Sequence, residues 1–300
     1  RHTRLRTVTG VQTCALPISN PEFLRQGSAV RDFLHPSRVV VGGDDAEAVA
    51  RVADLYSGVD APVLRMNTES AEALKYAANA LLATKLTFIN AMADICEVVG
   101  ADIFDVATGI GMDPRIGKDM LNAGPGWGGS CFPKDTKAMV KIAAGAGYSF
   151  DLLKGVITVN EQQYGRVVEK VARASGGSLQ GKTVAVWGLT FKAGTDDLRD
   201  SPSIEICTRL LAAGAKVVGY DPTVSSAPSL IAAAGIAPDA LSAVKGADVL
   251  AVLTEWDEFK WVEPSRVKES MTGRAVVDAR NLLDRSEWVR AGFDYHGIGR

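Results

Sequence analysis

Apolar and polar positions repeat along this chain with two different periods. Residues 38–42, Arg-Val-Val-Val-Gly, form a β-branched run closed by glycine, the pattern of a buried strand. Residues 44–56 change to helical spacing through Ala48, Val52 and Leu55, and residues 62–66 read as another short strand. A long helix is predicted from Thr68 to Gly100, with Thr68 as its cap and Glu69 and Glu72 in the first turn, where the helix dipole favours anions. Its apolar positions (among them Leu74, Leu81, Leu82, Ile89, Cys96 and Val99) cover much of the circumference, so more than one neighbour must bury them. Shorter helices are predicted over 101–122 and 133–145. After Gly181 the pattern gives strands at 182–188, 216–222, 247–253 and 275–278, with a helix over 201–213. Apolar strands alternating with helices predict an α/β fold with a doubly wound parallel sheet.

Composition narrows the picture. The 300 residues are long for one ordinary domain and suggest two, and 47% hydrophobic with 23% charged residues is ordinary for a globular protein. A net charge of -2 without a long basic run gives no footprint for nucleic acid. No apolar stretch approaches the ~18 residues that cross a bilayer, so no membrane partner and a cytoplasmic location are expected. Cysteines stand at 14, 96, 131 and 207, with no CxxC spacing, and His2, His35 and His296 form no cluster beside them. That argues against a metal site or a disulfide framework. Residues 1–18 stand apart. Arg1, Arg4 and Arg6 without an acidic residue have a transit-peptide composition. The run TVTGVQTCALPI looks more like a translated sequencing adaptor, so the segment is expected to be foreign or disordered.

The most informative stretch is Gly124-Pro125-Gly126-Trp127-Gly128-Gly129-Ser130-Cys131-Phe132-Pro133-Lys134-Asp135. Its letters satisfy G-x-G-x-x-G, but the segment before it reads as helix, whereas the dinucleotide fingerprint follows a strand. Here the glycines let the backbone bend sharply and approach a ligand. Pro133 suits the start of a helix, so Cys131 sits where a helix N-terminus and Lys134 both favour a thiolate. Cys96 and Cys207 lie on apolar helix faces and are expected to be buried structural thiols.

These residues carry a resemblance. GWGGSCFPKDTKAM is similar to the active-site loop of the UDP-glucose/GDP-mannose dehydrogenase family. Asn20-Pro21-Glu22-Phe23-Leu24, Lys75-Tyr76-Ala77-Ala78-Asn79 and Trp187-Gly188-Leu189-Thr190-Phe191-Lys192 through Asp200-Ser201-Pro202 resemble its other signatures, in family order. The resemblance implies a remnant of an N-terminal NAD-binding Rossmann domain over 19–66 and a central helical, dimerising domain with the cysteine loop over 67–165. It also implies a UDP-binding, Rossmann-like domain over 166–300. The reaction it implies is the oxidation of a nucleotide sugar from alcohol to acid with NAD, Cys131 capturing the intermediate aldehyde. Lys75 and Asn79, four apart on one helix face, would hold the developing oxyanion and order water. Glu22 would serve as general base, and Asp135 would activate water or position Lys75. Arg115 would reach the partner subunit's sugar across a homodimer built on the central helix. Gly128, Lys192 and Arg280 would contact the nucleotide sugar, and Lys134 and Arg199 would approach NAD.

The sequence departs from the family at its front: no strand–glycine loop–helix with G-x-G-x-x-G precedes Ser19. The chain is therefore expected to be N-terminally truncated, to bind NAD poorly and to turn over little or nothing by itself. Its first strands would then leave an uncovered edge. UDP-glucose is the expected substrate, ahead of GDP-mannose and N-acetylhexosamine nucleotides. A non-catalytic UDP-sugar-binding fragment and a cysteine hydrolase are the readings from other classes.

Overall fold

The computed structural model describes residues 17–300. The chain begins with α1 (Ala29–Leu34), β1 (Val39–Gly42), α2 (Ala46–Asp54) and β2 (Val63–Met66). Four helices follow: α3 (Thr68–Val99), α4 (Ile103–Gly111), α5 (Phe132–Gly145) and α6 (Asp151–Ala174). Then come β3 (Thr183–Trp187), α7 (Pro202–Ala212), β4 (Lys216–Tyr220), β5 (Gly235–Ile236), α8 (Ala240–Ala243) and β6 (Val249–Val252). The last elements are α9 (Pro264–Ser270), β7 (Ala275–Asp278), α10 (Arg285–Arg290) and β8 (Asp294–His296). Among the described residues no helix is long and apolar enough to cross a membrane.

Two compact units result: residues up to Leu81 with Asp135–Phe150, and Leu82–Lys134 with Asp151–Arg300. The division falls inside α3 and α5 and, a third time, at the start of α6.

In the first unit β1 and β2 pair in parallel, Val39 opposite Val63 through Gly42 opposite Met66. Val39, Val41, Val49 and Ala53 form its small core, with Ile18, Val52, Tyr56 and Val63 packed against it. Asp45 caps α2, its carboxylate accepting from the amides of Glu47 and Ala48 at 2.9 and 3.2 Å. The cap of α3 is Asn67, not Thr68: the Asn67 side chain accepts from the Ser70 amide at 2.8 Å. Thr68 is already helical, and its hydroxyl turns away to donate to the Pro17 carbonyl at 3.4 Å. Residues 1–16, including Cys14, lie outside the described residues.

The second unit holds a six-stranded sheet in the order β5-β4-β3-β6-β7-β8, every pairing parallel. Alternate residues of each strand serve opposite faces, as a two-residue period requires. Val184, Val186, Val249, Ala251 and Val277 join Val167 and Val171 of α6 and Ile206 and Leu210 of α7 in one core. Ala185, Trp187, Leu250, Val252 and Val276 join Ala240, Phe259, Val267 and Trp288 in the other. The doubly wound parallel sheet predicted from patterning is thus present, with β5 and β8 as short edge strands added to it. The chain runs outward from β3 to β5, then returns to β6 beside β3 and runs outward again. Such a reversal opens a crevice beyond the carboxyl ends of the two central strands.

Candidate active site

The loops after β3 and β6 line that crevice. Gly188, at φ +90°, ends β3 where an added Cβ would lie 2.3 Å from the Thr254 side chain, so only glycine fits. Asp221, after β4, is buried, and its Oδ2 accepts from the amides of Leu189 and Thr190 at 2.8 and 3.0 Å. The same oxygen accepts from the Trp256 indole at 3.0 Å, while Oδ1 takes the amide and hydroxyl of Thr223. Burial alone would raise the Asp221 pKa, but the Thr190, Leu189 and Thr223 amides outweigh it and hold the carboxyl below its ordinary value. The Thr254 hydroxyl donates to the Thr190 carbonyl at 2.6 Å, and Ser201 donates to the Leu189 carbonyl at 2.7 Å. The post-β3 loop is therefore tied by hydrogen bonds to Asp221 after β4 and to the post-β6 loop, and its two ends to each other. Leu189, Thr190 and Ser201 stand in the signature read from the sequence, but the partners Asp221, Thr254 and Trp256 were not singled out, because these meet that segment only across the sheet.

The cysteine loop lies against this rim. An added Cβ at Gly128 would fall 1.9 Å from the Asp200 carbonyl, and the Gly129 amide donates to that carbonyl at 3.3 Å. Asp200 itself adopts φ +46°, uncommon for a residue with a side chain. Gly129, at φ +80°, touches the Phe191 ring. Gly124 sits beside the Arg280 guanidinium, with 3.4 Å between its ideal Cβ and an arginine nitrogen. The glycines expected to approach a ligand instead meet, at Gly128, Gly129 and Gly124, the β3–α7 segment and Arg280.

Cys131 is exposed and immediately precedes α5, with its Sγ 3.7 Å from the Ser130 hydroxyl. Cys96 and Cys207 are buried, as expected for structural thiols, and burial pushes the Cys207 thiol up to about 12. Arg199 is held above the usual arginine range first by its hydrogen bonds to Asp197, then by the Asp197 charge, with a further contribution from Cys131. Arg280 donates from Nε to the Leu253 carbonyl at 2.8 Å and from a terminal nitrogen to the Phe191 carbonyl at 3.1 Å, and it pairs with Glu255 at 3.0 Å. It fastens the ends of β3 and β6 together. Lys192 stands 5.5 Å from the Phe191 ring centroid. Arg115 is well exposed and forked onto Asp113 at 2.6 Å. Lys134 is exposed in the first turn of α5.

The other expected residues belong to the first unit and form two pairs. Lys75 Nζ donates to the Glu22 backbone carbonyl at 2.6 Å and lies 3.3 Å from the Glu22 carboxylate. Asn79 Nδ2 donates to Asp135 Oδ2 at 2.6 Å, with both residues buried. The four-residue spacing of Lys75 and Asn79 on α3 and the adjoining carboxylates give two cation- or amide-to-carboxylate contacts one turn apart.

A doubly wound parallel sheet with a glycine loop and an exposed thiol packed against the segment that follows β3 places the chain in the class of dinucleotide-type α/β proteins. Comparison with known proteins gives the class a family. Residues 11–60, 69–162 and 185–285 match the NAD binding, central and UDP binding domains of the UDP-glucose/GDP-mannose dehydrogenase family. The chain belongs to that family. It is 45% identical to the UDP-glucose 6-dehydrogenase TuaD of Bacillus subtilis over 285 residues, covering 94% of this chain and 62% of that protein. It is equally 45% identical to the UDP-glucose 6-dehydrogenase of Rhizobium meliloti, covering 94% of this chain and 66% of the relative. Among solved structures, the UDP-glucose dehydrogenase of Pyrobaculum islandicum superposes with a TM-score of 0.83 at 34% identity, over 95% of this chain and 63% of that one. The chain thus spans somewhat under two thirds of the length of the relatives it matches.

Proposed function

We propose that this chain carries the thiol-bearing and UDP-sugar-binding parts of an NAD-dependent UDP-glucose 6-dehydrogenase, forming UDP-glucuronate. The observation that carries the reading is an exposed Cys131 on a glycine loop seated against Asp200 and Phe191, beside the crevice between β3 and β6. A nucleotide in such a crevice lies beyond the carboxyl ends of the strands. Its sugar can then extend toward the loop.

The chemistry is a four-electron oxidation. Removal of a hydride from C6 and a proton from its hydroxyl gives an aldehyde. The Cys131 thiolate adds to that carbonyl carbon, forming a C–S bond and, after protonation of the oxygen, a thiohemiacetal. Loss of a second hydride from C6 together with the hydroxyl proton gives a thioester; water adds, the C–S bond breaks, and the acid and thiol are released. NAD, when bound, would supply the oxidant for both hydride transfers. Covalent capture divides a hard step and retains the aldehyde. In this reading Lys75 and Asn79 stabilise the oxyanion, Glu22 is a general base and Asp135 orients Asn79 or the attacking water. The sugar nucleotide is met by Gly128, Lys192, Arg280 and, from a partner subunit, Arg115. Lys134 and Arg199 are directed to NAD. Exposed Phe88, Ile95 and Val98 on α3 support a homodimer through that helix.

Among the described residues, the strand-to-helix turn of the first unit does not fit a dinucleotide pyrophosphate. The Asp45 carboxylate already takes the first amides of α2, and Ile18 would lie 2.5 Å from a Cβ at Gly43. The 300-residue chain alone is accordingly expected to give little or no NADH with UDP-glucose; a robust signal would overturn that part of the reading.

The nucleotide-sugar assignment is tested on the chain itself by iodoacetamide labelling followed by mass spectrometry. Cys131 is expected to react ahead of Cys96 and Cys207, and UDP-glucose is expected to slow it, with calorimetry showing binding of UDP. Protection by GDP-mannose instead would move the substrate to the other branch of the family. Binding without protection of Cys131 would leave only a UDP-sugar-binding protein.

A further inference from the structure

The buried polar stripe in the first half of α6 explains more than packing. Asn160 is 4% exposed and Gln163 1% exposed, on a helix whose other buried positions are Leu153, Val156, Tyr164, Val167 and Val171. A buried amide is costly unless every donor and acceptor is matched. Asn160 meets that condition on one residue: its Oδ1 accepts from the Trp127 amide at 2.9 Å and its Nδ2 donates to the Trp127 carbonyl at 3.0 Å. The second proton of Nδ2 goes to the Tyr164 hydroxyl at 2.7 Å, and that hydroxyl donates to the same Trp127 carbonyl at 2.9 Å. A side-chain amide thus plays the part of a neighbouring strand and fixes the Trp127 peptide groups on both sides.

The rest of the segment is held by α3 as well as α6. The Trp127 indole donates to the Thr87 hydroxyl at 2.8 Å and meets the Phe132 ring edge-on at 6.2 Å. Gln163 donates to the Gly124 carbonyl at 3.0 Å, and Asn90 accepts from the Gly124 amide at 2.8 Å. Gly126, at φ +119°, lies so close to the Tyr164 ring that an added Cβ would stand 2.7 Å from it. Burial, followed by the charge of Glu161, raises the Tyr164 phenol well above its ordinary value, so it remains a donor. Between Trp127 and Phe132 only four residues intervene, and Cys131 is the last of them.

We propose that Asn160 is a positioning residue for the Cys131 thiol, setting the Gly128–Cys131 segment through its paired hydrogen bonds to Trp127. The inference rests on the reading of Cys131 as the nucleophile, and its test separates the two. N160A is compared with the whole chain and with V171A, which weakens the core under the sheet without touching the loop. Hydrogen exchange of the peptide spanning residues 124–131 and iodoacetamide labelling of Cys131, with and without UDP-glucose, are the readouts.

N160A is expected to accelerate exchange in that peptide and to change Cys131 labelling by about fivefold, the factor given by loss of about one net hydrogen bond. UDP-glucose affinity by calorimetry should stay near that of the unsubstituted chain while protection of Cys131 is lost. V171A should lower the melting temperature and leave protection intact. If N160A does not fold, Y164F removes one hydroxyl from the same carbonyl and should show the same changes in smaller measure. Unchanged loop exchange and unchanged labelling in the folded variant overturn the proposal. If UDP-glucose never protects Cys131 in the unsubstituted chain, the catalytic reading fails, and loop exchange still decides the role of Asn160.

Discussion

The two parallel sheets of this protein are built from similar residues and owe their order to different things. β1 (Val-Val-Val-Gly) is buried throughout, as are β6 and β7. Its partner β2 is not: Leu64 is 41% exposed, and on the far side of β1 the described residues supply only the Ser19–Gly42 bridge and the Asn20 side chain on the Val40 carbonyl. The six-stranded sheet is covered on both faces and ends in strands of two and three residues. Two strands alone are marginal in water, whereas a sheet packed on both sides is stable by itself. The difference also bears on chemistry, since only the larger sheet reverses its strand order, and a reversal is what opens a crevice for a ligand.

The largest expected effect lies in the large sheet. Trp187 is fully buried, stacked on Phe259 at 5.2 Å, edge-on to Trp288 at 6.1 Å, and bonded through its indole to the Ala240 carbonyl. Trp187→Ala should cost about 3–5 kcal/mol, measured by urea unfolding followed through the second unit. Unfolding unchanged within about 0.5 kcal/mol would mean that this core is not what holds the sheet.

The next test contrasts one carboxylate from each unit. Asp221 is held low against burial by backbone amides, and Asp32 in the first unit is held well below its ordinary range first by hydrogen bonds from Arg25. A depressed folded pKa gives stability that is present above the unfolded value of about 3.9 and lost as pH falls through the folded one. Asp278 works in the opposite sense. Burial raises it despite bonds from the Leu283 amide and the Tyr295 hydroxyl, so its contribution is present in acid and lost as pH rises. Asp221→Asn should therefore flatten the acid limb of stability measured by urea midpoint. The Arg25–Asp32 pair is exposed on its arginine side and open to screening. Molar salt should raise the Asp32 titration midpoint, followed by NMR, and leave that of Asp221 nearly in place. Equal salt responses would erase the contrast. The smallest effect is expected at β2, where Leu64→Thr should change stability by less than about 0.5 kcal/mol; a larger loss would show that Leu64 is covered.

Apolar runs revealed the four inner strands of the large sheet, because a buried parallel strand can be little else than a short β-branched or apolar run, whereas β5 and β8, of two and three residues, are too short to show. The glycine–cysteine loop was equally legible: glycines that admit neighbouring backbone, a thiol and a proline at a helix start must all be local in sequence. α6 was not read, and the reason is instructive. Its buried stripe is interrupted by Asn160, Gln163 and Tyr164, the residues whose partners are Trp127 and Gly124 of the cysteine loop. A polar break in an apolar stripe looks like solvent exposure until the partner is seen.

The cap of α3 fell to Asn67 for a similar reason, since both Asn67 and Thr68 can cap and only the backbone path chooses between them. Asp221, Thr254 and Trp256, which hold Thr190, come from the segments after β4 and β6 and carry no motif. By itself the sequence determined the element types, the thiol and the local residues that let the chain bend around it, since each depends on neighbours within a few positions. Tertiary structure alone decided which polar side chains meet across the sheet, because a hydrogen bond between distant residues has no period and no spacing to betray it.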